Sequence, residues 1–229
     1  MATSGTTSFN LDIDDIIQEA YERCGMRTNS GYDLKSARRS LNILFAEWGN
    51  RGIHLWKVEL KEQLLTAGTA TYSAPSNAND ILEAYISTTT STTTATNDVS
   101  LTKISRSEYA ALPNKGNRGQ PSQYYVDRQT TPTITLYQTP DASTFTYLKY
   151  YYLKRIEDAG AYTNQADVVF RFIPCMVAGL AYYLSMKKAP QLISGTKLVY
   201  EDELQRALTE DGQRTSVYIT PQTYYPQGV

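Results

Sequence analysis

The spacing of apolar residues changes period twice along this chain, and that double change limits the folds open to it. Near the N-terminus Ile13, Ile16, Ile17, Ala20, Tyr21 and Cys24 recur at three- and four-residue intervals, which sets them on one stripe of an α-helix. Asn10 or Asp12 can cap this helix, Asp14 and Asp15 suit the positive end of its dipole, and Gly25 suits its stop. A second helix is predicted over 32–48, with Leu34, Ala37, Leu41, Leu44, Phe45 and Trp48 as its stripe and Gly49 and Gly52 ending it. The short link between the two favours an antiparallel pair.

From Trp56 the pattern alternates, which is the strand period. Segments 56–60, 133–137 and 145–153 carry it, with further candidate strands at 70–73, 81–87, 99–104 and 123–127, punctuated by Pro75, Pro113, Pro121, Pro132 and Pro140. Short strands at this spacing read as an antiparallel sandwich or a small barrel. The helical period then returns. Val168, Val169, Phe172, Ile173, Met176, Val177, Leu180, Ala181 and Leu184 leave almost no polar face, which predicts a central helix. Pro174 marks its first turn or a kink, and Gly179 and Ala181 permit another helix to approach closely. A last helix is expected over 196–208 with Tyr200, Leu204, Ala207 and Leu208 as its stripe. The fold class is therefore α+β. An antiparallel helix bundle forms from 1–55 and 163–211, an antiparallel β-sandwich or small barrel is inserted at 56–162, and 212–229 is an extended C-terminal arm.

Two stretches depart from both periods. Residues 87–96 read STTTSTTTAT and offer no apolar group to a core, so a solvated hairpin tip is expected, with Thr92 and Thr93 as its contact residues if it touches a neighbouring subunit. The arm holds two prolines and the apolar or aromatic residues Val217, Tyr218, Ile219, Tyr224 and Tyr225. Plain disordered tails are poor in such residues, so a strip that adds to a partner's groove or sheet edge competes with a frayed terminus.

Chemistry is sparse. The only histidine, His54, has no Cys or His near it and reads as structural rather than as a base or ligand. Nucleophile-elbow, phosphate-loop and dinucleotide motifs do not occur. Asp12, Asp14 and Asp15 lack the calcium-loop pattern and sit where a helix start favours acids. Cys24 and Cys175, both within helical patterns, suggest buried small hydrophobes and neither a disulfide framework nor zinc. No cofactor is expected. Residues 1–8 lack the basic and apolar regions of a signal peptide, and 170–184 is short for a membrane span, so a soluble chain made in the cytoplasm is expected. A net charge of −1 and a pI near 5.9 argue against a large phosphate-binding footprint, while a near-neutral wall would let a duplex slide past. The basic loop NKGNRGQP, with Lys115 and Arg118, is either a contact with phosphates or with an acidic neighbour, or a flexible lead into the next strand. Nineteen tyrosines suit protein-facing surfaces or a tyrosine-rich β core equally.

Several runs together resemble the head-to-tail adaptor proteins of short-tailed bacteriophages, the connector or packaged-DNA stabilisation proteins related to the tail tubular protein A group. They are LDIDDIIQEAYERCG followed by YDLKSARRSLNILFAEWGNRGIHLW, then RSEYAALPNK, GQPSQYYVDR, YYYLKRIEDAG and RFIPCMVAGLAYYLSMK. These are packing patterns whose order and spacing carry the likeness, and the Thr-rich loop has no place in it. The resemblance implies a non-enzymatic virion protein that forms a ring, typically of twelve copies, under the portal protein. The ring would retain packaged DNA, conduct it through a central channel without reading its sequence, and meet a tail nozzle or hub protein below. The resemblance also implies a portal-binding arm at Ser216, Val217, Tyr218, Ile219, Tyr224 and Tyr225, and no membrane is involved; Thr92, Thr93, Lys115 and Arg118, read from loop composition alone, are the expected contacts between rings or subunits. Two other readings compete: a receptor- or carbohydrate-binding β module of a virion, which needs aromatics on an exposed sheet face, and a virion-associated hydrolase, which needs a clustered acid pair or a His-based site.

Overall fold

The first helical stripe folds as its spacing requires. In a computed structural model, which describes residues 5–6, 9–28, 30–52, 55–90 and 97–211, α1 (Ile13–Arg23) buries Ile13, Ile16, Ile17, Ala20 and Tyr21 on one face. Its start is not capped by a side chain. Asp12 makes no capping bond, and the Asn10 amide donates to Gln165 Oε1 at 2.9 Å. The free N–H groups of Ile13 and Asp14 donate instead to the carbonyls of Asn164 (2.9 Å) and Tyr162 (3.0 Å). The orphan donors of a helix start are satisfied by whatever acceptor is nearest, and here the fold supplies one from far along the chain. The next helix, α2 (Gly31–Asn50), is capped by Ser30, whose hydroxyl accepts from the Asp33 amide at 3.3 Å. It runs through Gly49, and the backbone turns away only at Gly52, with φ +77°.

Ten strands follow among the described residues: β1 (Val58–Leu64), β2 (Thr71–Ser73), β3 (Ala78–Ser87), β4 (Asp98–Ser100), β5 (Thr102–Ile104), β6 (Arg118–Gly119), β7 (Gln123–Asp127), β8 (Thr133–Tyr137), β9 (Thr139–Pro140) and β10 (Tyr147–Lys154). A short helix, α3 (Arg106–Ala111), lies between β5 and β6. One four-stranded sheet has the order β1-β10-β3-β4 and is antiparallel throughout. The other has the order β2-β8-β7-β5, and β6 with β9 makes a two-stranded ladder. None of the described strands closes a barrel.

The segment expected to be one strand at 99–104 is two. Leu101, 8% exposed, turns inward, and its N–H donates to the Ala84 carbonyl at 2.9 Å. Before it β4 pairs with β3, and after it β5 pairs with β7 in the other sheet. The β5–β7 and β6–β9 pairings are parallel, which departs from the antiparallel expectation. A parallel pair needs a crossover too long for a hairpin, and α3 occupies the one between β5 and β7. Both four-stranded sheets feed one apolar cluster. Ile81, Ile86, Leu148 and Tyr150 come from the first sheet, and Tyr72, Tyr124, Ile134 and Leu136 from the second.

A second cluster belongs to the helices. In α4 (Ile173–Lys188), ten residues from Ile173 to Ser185 are buried, and the helix packs against α1, α2 and α5 (Ile193–Asp211). Pro174 stands in its first turn, where a missing N–H costs nothing. Gly179 is the point of closest approach. A Cβ there would lie 2.9 Å from both Leu44 methyls and from Tyr200 Cε2. Trp48, Phe172, Leu180 and Leu204 fill the space around it, and Ile156, Ala159, Tyr162 and Val169 from the segment after β10 pack on the same cluster. In α5 the buried side chains are Tyr200, Leu204 and Ala207, and Leu208 is half-buried. Among the described residues no helix is long and apolar enough to cross a membrane.

Candidate interaction surfaces

The basic loop 114–121 is tied down from within. Lys115 Nζ donates to the carbonyls of Ala110 and Leu112, both at 2.9 Å, which closes the C-terminal end of α3 with a cation as the helix dipole favours. Its ammonium lies 5.3 Å from the centre of the Tyr109 ring, and Tyr109 stacks on Tyr125 at 5.6 Å. The Thr139 hydroxyl donates to the Lys115 carbonyl at 2.9 Å. The two basic residues thus part company. Lys115 is half-buried and engaged, while Arg118 is exposed in β6 with its guanidinium against Gly68. The other expected contact residues, Thr92, Thr93, Ser216, Val217, Tyr218, Ile219, Tyr224 and Tyr225, lie outside the described residues, as does His54.

Several other ionisable groups among the described residues form joints between elements. Arg51 pairs with Glu47 at 2.6 Å and with both carboxylate oxygens of Glu201 at 3.0 and 3.1 Å. The Trp48 indole N–H donates to the Tyr200 hydroxyl at 3.0 Å, which donates in turn to Glu47 Oε2 at 3.1 Å. This network fastens the end of α2 to α5, and burial pushes the Tyr200 hydroxyl well above the usual tyrosine range. Lys57 pairs with Asp167 just before β1. Lys149, almost wholly buried, donates to Asp98 at 3.2 Å. The Ser87 hydroxyl first, and Lys149 second, hold the Asp98 carboxyl below the usual range. Both thiols are free and buried. Cys24 donates to the Ala181 carbonyl at 3.3 Å, and burial pushes Cys175 up to about 12. Among the described residues no group of three or more His, Cys, Asp or Glu side chains is placed to hold a metal ion.

What the periods did not announce is a groove beside α4. Phe9, Leu11, Ile173, Pro174 and Val177 form the apolar part of a cleft of about 480 Å³ between the N-terminal segment, α1 and α4, and Asp15, Glu19 and Glu22 stand along its rim. A second hollow of about 340 Å³, lined by Ala178, Ala181, Leu192, Thr196 and Val199, meets the first at Arg23, which lines both. Large apolar side chains face outward around them: Leu198 is 73% exposed, Phe170 69%, Phe9 64% and Val199 50%. Others lie elsewhere, among them Tyr32 at 71% and Leu64 at 61%, but Phe9 and Phe170 touch each other beside the cleft, and contiguous exposed apolar groups mark a surface that meets something else. The signal for the second hollow was present at the start of α5, where Leu192, just before the helix, and Thr196 and Val199 within it recur at helical spacing on a face separate from Tyr200 and Leu204. Phe9 and Phe170 carried none.

Compared with known protein families, the chain matches the model described as SU10 adaptor protein over residues 6–224. No curated protein matches it.

Proposed function

The chain belongs to the SU10 adaptor protein family, and we propose on that premise that it is a structural protein of a bacteriophage particle, the adaptor between portal and tail. Copies of the chain close into a ring, twelve being the number the resemblance implies. The helices of 1–55 and 163–211 pack as an antiparallel bundle and build the ring wall around a channel for packaged DNA. The β region 56–162, its two sheets facing each other as a sandwich, meets the tail nozzle or hub protein or lies at the periphery. Residues 212–229 are the arm, and Ser216, Val217, Tyr218, Ile219, Tyr224 and Tyr225 bind the portal. Contacts between rings or subunits fall to the Thr92–Thr93 tip and to the loop holding Lys115 and Arg118. In that loop Arg118 has the more accessible charge, because Lys115 is turned onto α3.

The observation that carries this reading is the span of the family match. It takes in both helical ends, the whole β region and the arm as far as residue 224, so the likeness rests on the order of all these segments and not on one motif. The outward apolar side chains support it as well. Leu198 and Tyr32, each more than 70% exposed, lie outside the lining of the groove beside α4 and are covered when cyclic repetition places a neighbour on each side. A sequence with a net charge of −1 gives a channel wall little hold on phosphates, which suits a conduit better than a clamp. Removal of residues 212–229 tests the arm directly. The shortened chain is expected to stay folded and monomeric and to lose attachment to the portal in a pull-down, whereas undiminished attachment would defeat this assignment.

A further inference from the structure

The groove beside α4 opens where the chain leaves the described fold. Asp211 ends α5, and its nearly buried carboxylate pairs with Arg171, at the start of α4. The next residue back, Phe170, meets Phe9 edge-on, with ring centroids 6.5 Å apart at 85°. Phe9 in turn lines the cleft with Leu11, Ile173, Pro174 and Val177. Residue 212 therefore begins at the mouth of an apolar cleft flanked by two exposed aromatic rings.

We propose that this groove is a binding site for an extended apolar peptide, and that its occupant is residues 216–225 of the same chain, laid along α4 from the Phe9–Phe170 end toward Val199. The fit is one of chemistry and reach. Residues 212–229 contain Val217, Tyr218, Ile219, Tyr224 and Tyr225 and a single charged side chain, Arg214. Arg214 precedes the apolar run, so it passes the rim of the cleft as the run enters; Glu19 there is paired with Arg23 at 2.9 Å, which leaves Asp15 and Glu22 to attract the cation. Ten extended residues reach up to roughly 33 Å, and the sixteen residues of α4 rise about 24 Å, so the segment is long enough to pass both hollows. Pro221 and Pro226 hold the backbone extended and bring no N–H to an apolar floor that has few acceptors. Tyrosine suits the place, since its ring packs on the floor while its hydroxyl stays at the wet rim. The inference goes beyond the adaptor reading and stands whether or not the segment also reaches a portal; if it does, docking draws the peptide out of its own groove.

Hydrogen exchange read by mass spectrometry on the full-length chain, as a monomer and without any portal, tests the assignment. Peptides covering 216–225 should exchange at least about tenfold more slowly than an unstructured segment. In a Phe9→Ser, Phe170→Ser variant that protection should vanish while the amides of α2 and α4 keep theirs, since both rings are on the surface. Unstructured exchange in the unaltered chain would overturn the proposal, as would protection that survives in the variant. Protection that grows with protein concentration, together with a dimer mass, would also overturn it by giving the groove to a second copy. Because no portal is present, a failure here leaves the adaptor reading standing, and loss of portal attachment leaves this assignment standing.

Discussion

At Gly179 a hydrogen atom sets the distance between three helices. Alanine is ordinarily the better helix residue by about 1 kcal/mol, so a substitution judged by propensity alone would stabilise the chain. A Cβ at this position meets Leu44 and Tyr200 at 2.9 Å, and overpacking of a filled core costs about 1–3 kcal/mol. We expect Gly179→Ala to lower the melting temperature by several degrees in a calorimetric scan; a rise would show that the contact is looser than described. Buried acids give a second expectation. Burial raises Tyr124 and Tyr150 from 10.0 to about 12 and Cys175 from 9.0 to about 12. A group whose pKa rises on folding stabilises the fold fully below its unfolded value and loses that stabilisation as the pH climbs toward its folded value. Stability should therefore hold at pH 8 and fall steadily between about pH 9 and 12, which melts at fixed salt would reveal. A flat profile would contradict the burial of these groups. The fates of single residues were legible where packing decides them: both cysteines and the close approach at Gly179 follow from the helical pattern. The role of Lys115 was not legible, because it closes a helix that the pattern did not register.

Long elements with a strong period declared themselves, and short ones hid. The stripes of α1, α2 and α5, that of α4 from Ile173 onward, and the strands β7 and β8 stand where their periods put them, because burial of one face decides the matter over that length. Val168 and Val169, expected in the α4 stripe, lie before the helix, Val169 in extended chain. In contrast α3 buries no residue, so no period exists to find. Its trace was local: Ser105 and Glu108 form a capping box, Ser105 Oγ accepting from the Glu108 amide at 3.2 Å and Glu108 Oε2 from the Ser105 amide at 2.6 Å. The division of 99–104 at Leu101 and the capping of α1 by Asn164 and Tyr162 depend on partners remote in sequence, which no window of neighbours contains. The tyrosines divide by element too. Tyr72, Tyr124, Tyr150 and Tyr152 lie in the core of the β region, which removes them from any exposed platform for sugar binding. The Thr-rich hairpin tip belongs at this scale as well. Its base is tied by bonds such as Thr146 Oγ1 to the Thr88 carbonyl at 3.1 Å. Removing residues 91–96 should leave the melting temperature nearly unchanged, and a large drop would make the tip part of the core.

For the whole molecule, the tip was read from its Thr-rich composition and the arm from its aromatic residues and the resemblance together, and residues 91–96 and 212–229 lie outside the described residues. The groove was not legible at all: Phe9 and Leu11 join Ile173, Pro174 and Val177 only after α1 and α4 have packed, so its residues share no spacing. The exposed Phe9 and Phe170 adjoin the end of α5, from which the tyrosine-rich segment departs, and this suits a subunit awaiting partners. The central claim is that the partners are further copies of the chain and a portal. The most direct test is electron microscopy of the purified chain mixed with the portal protein of its own phage, beside the chain alone. Closed rings stacked coaxially on the portal are expected, and the chain alone shows whether the portal is needed to form them. A mixture in which the chain and the portal remain separate would contradict that claim.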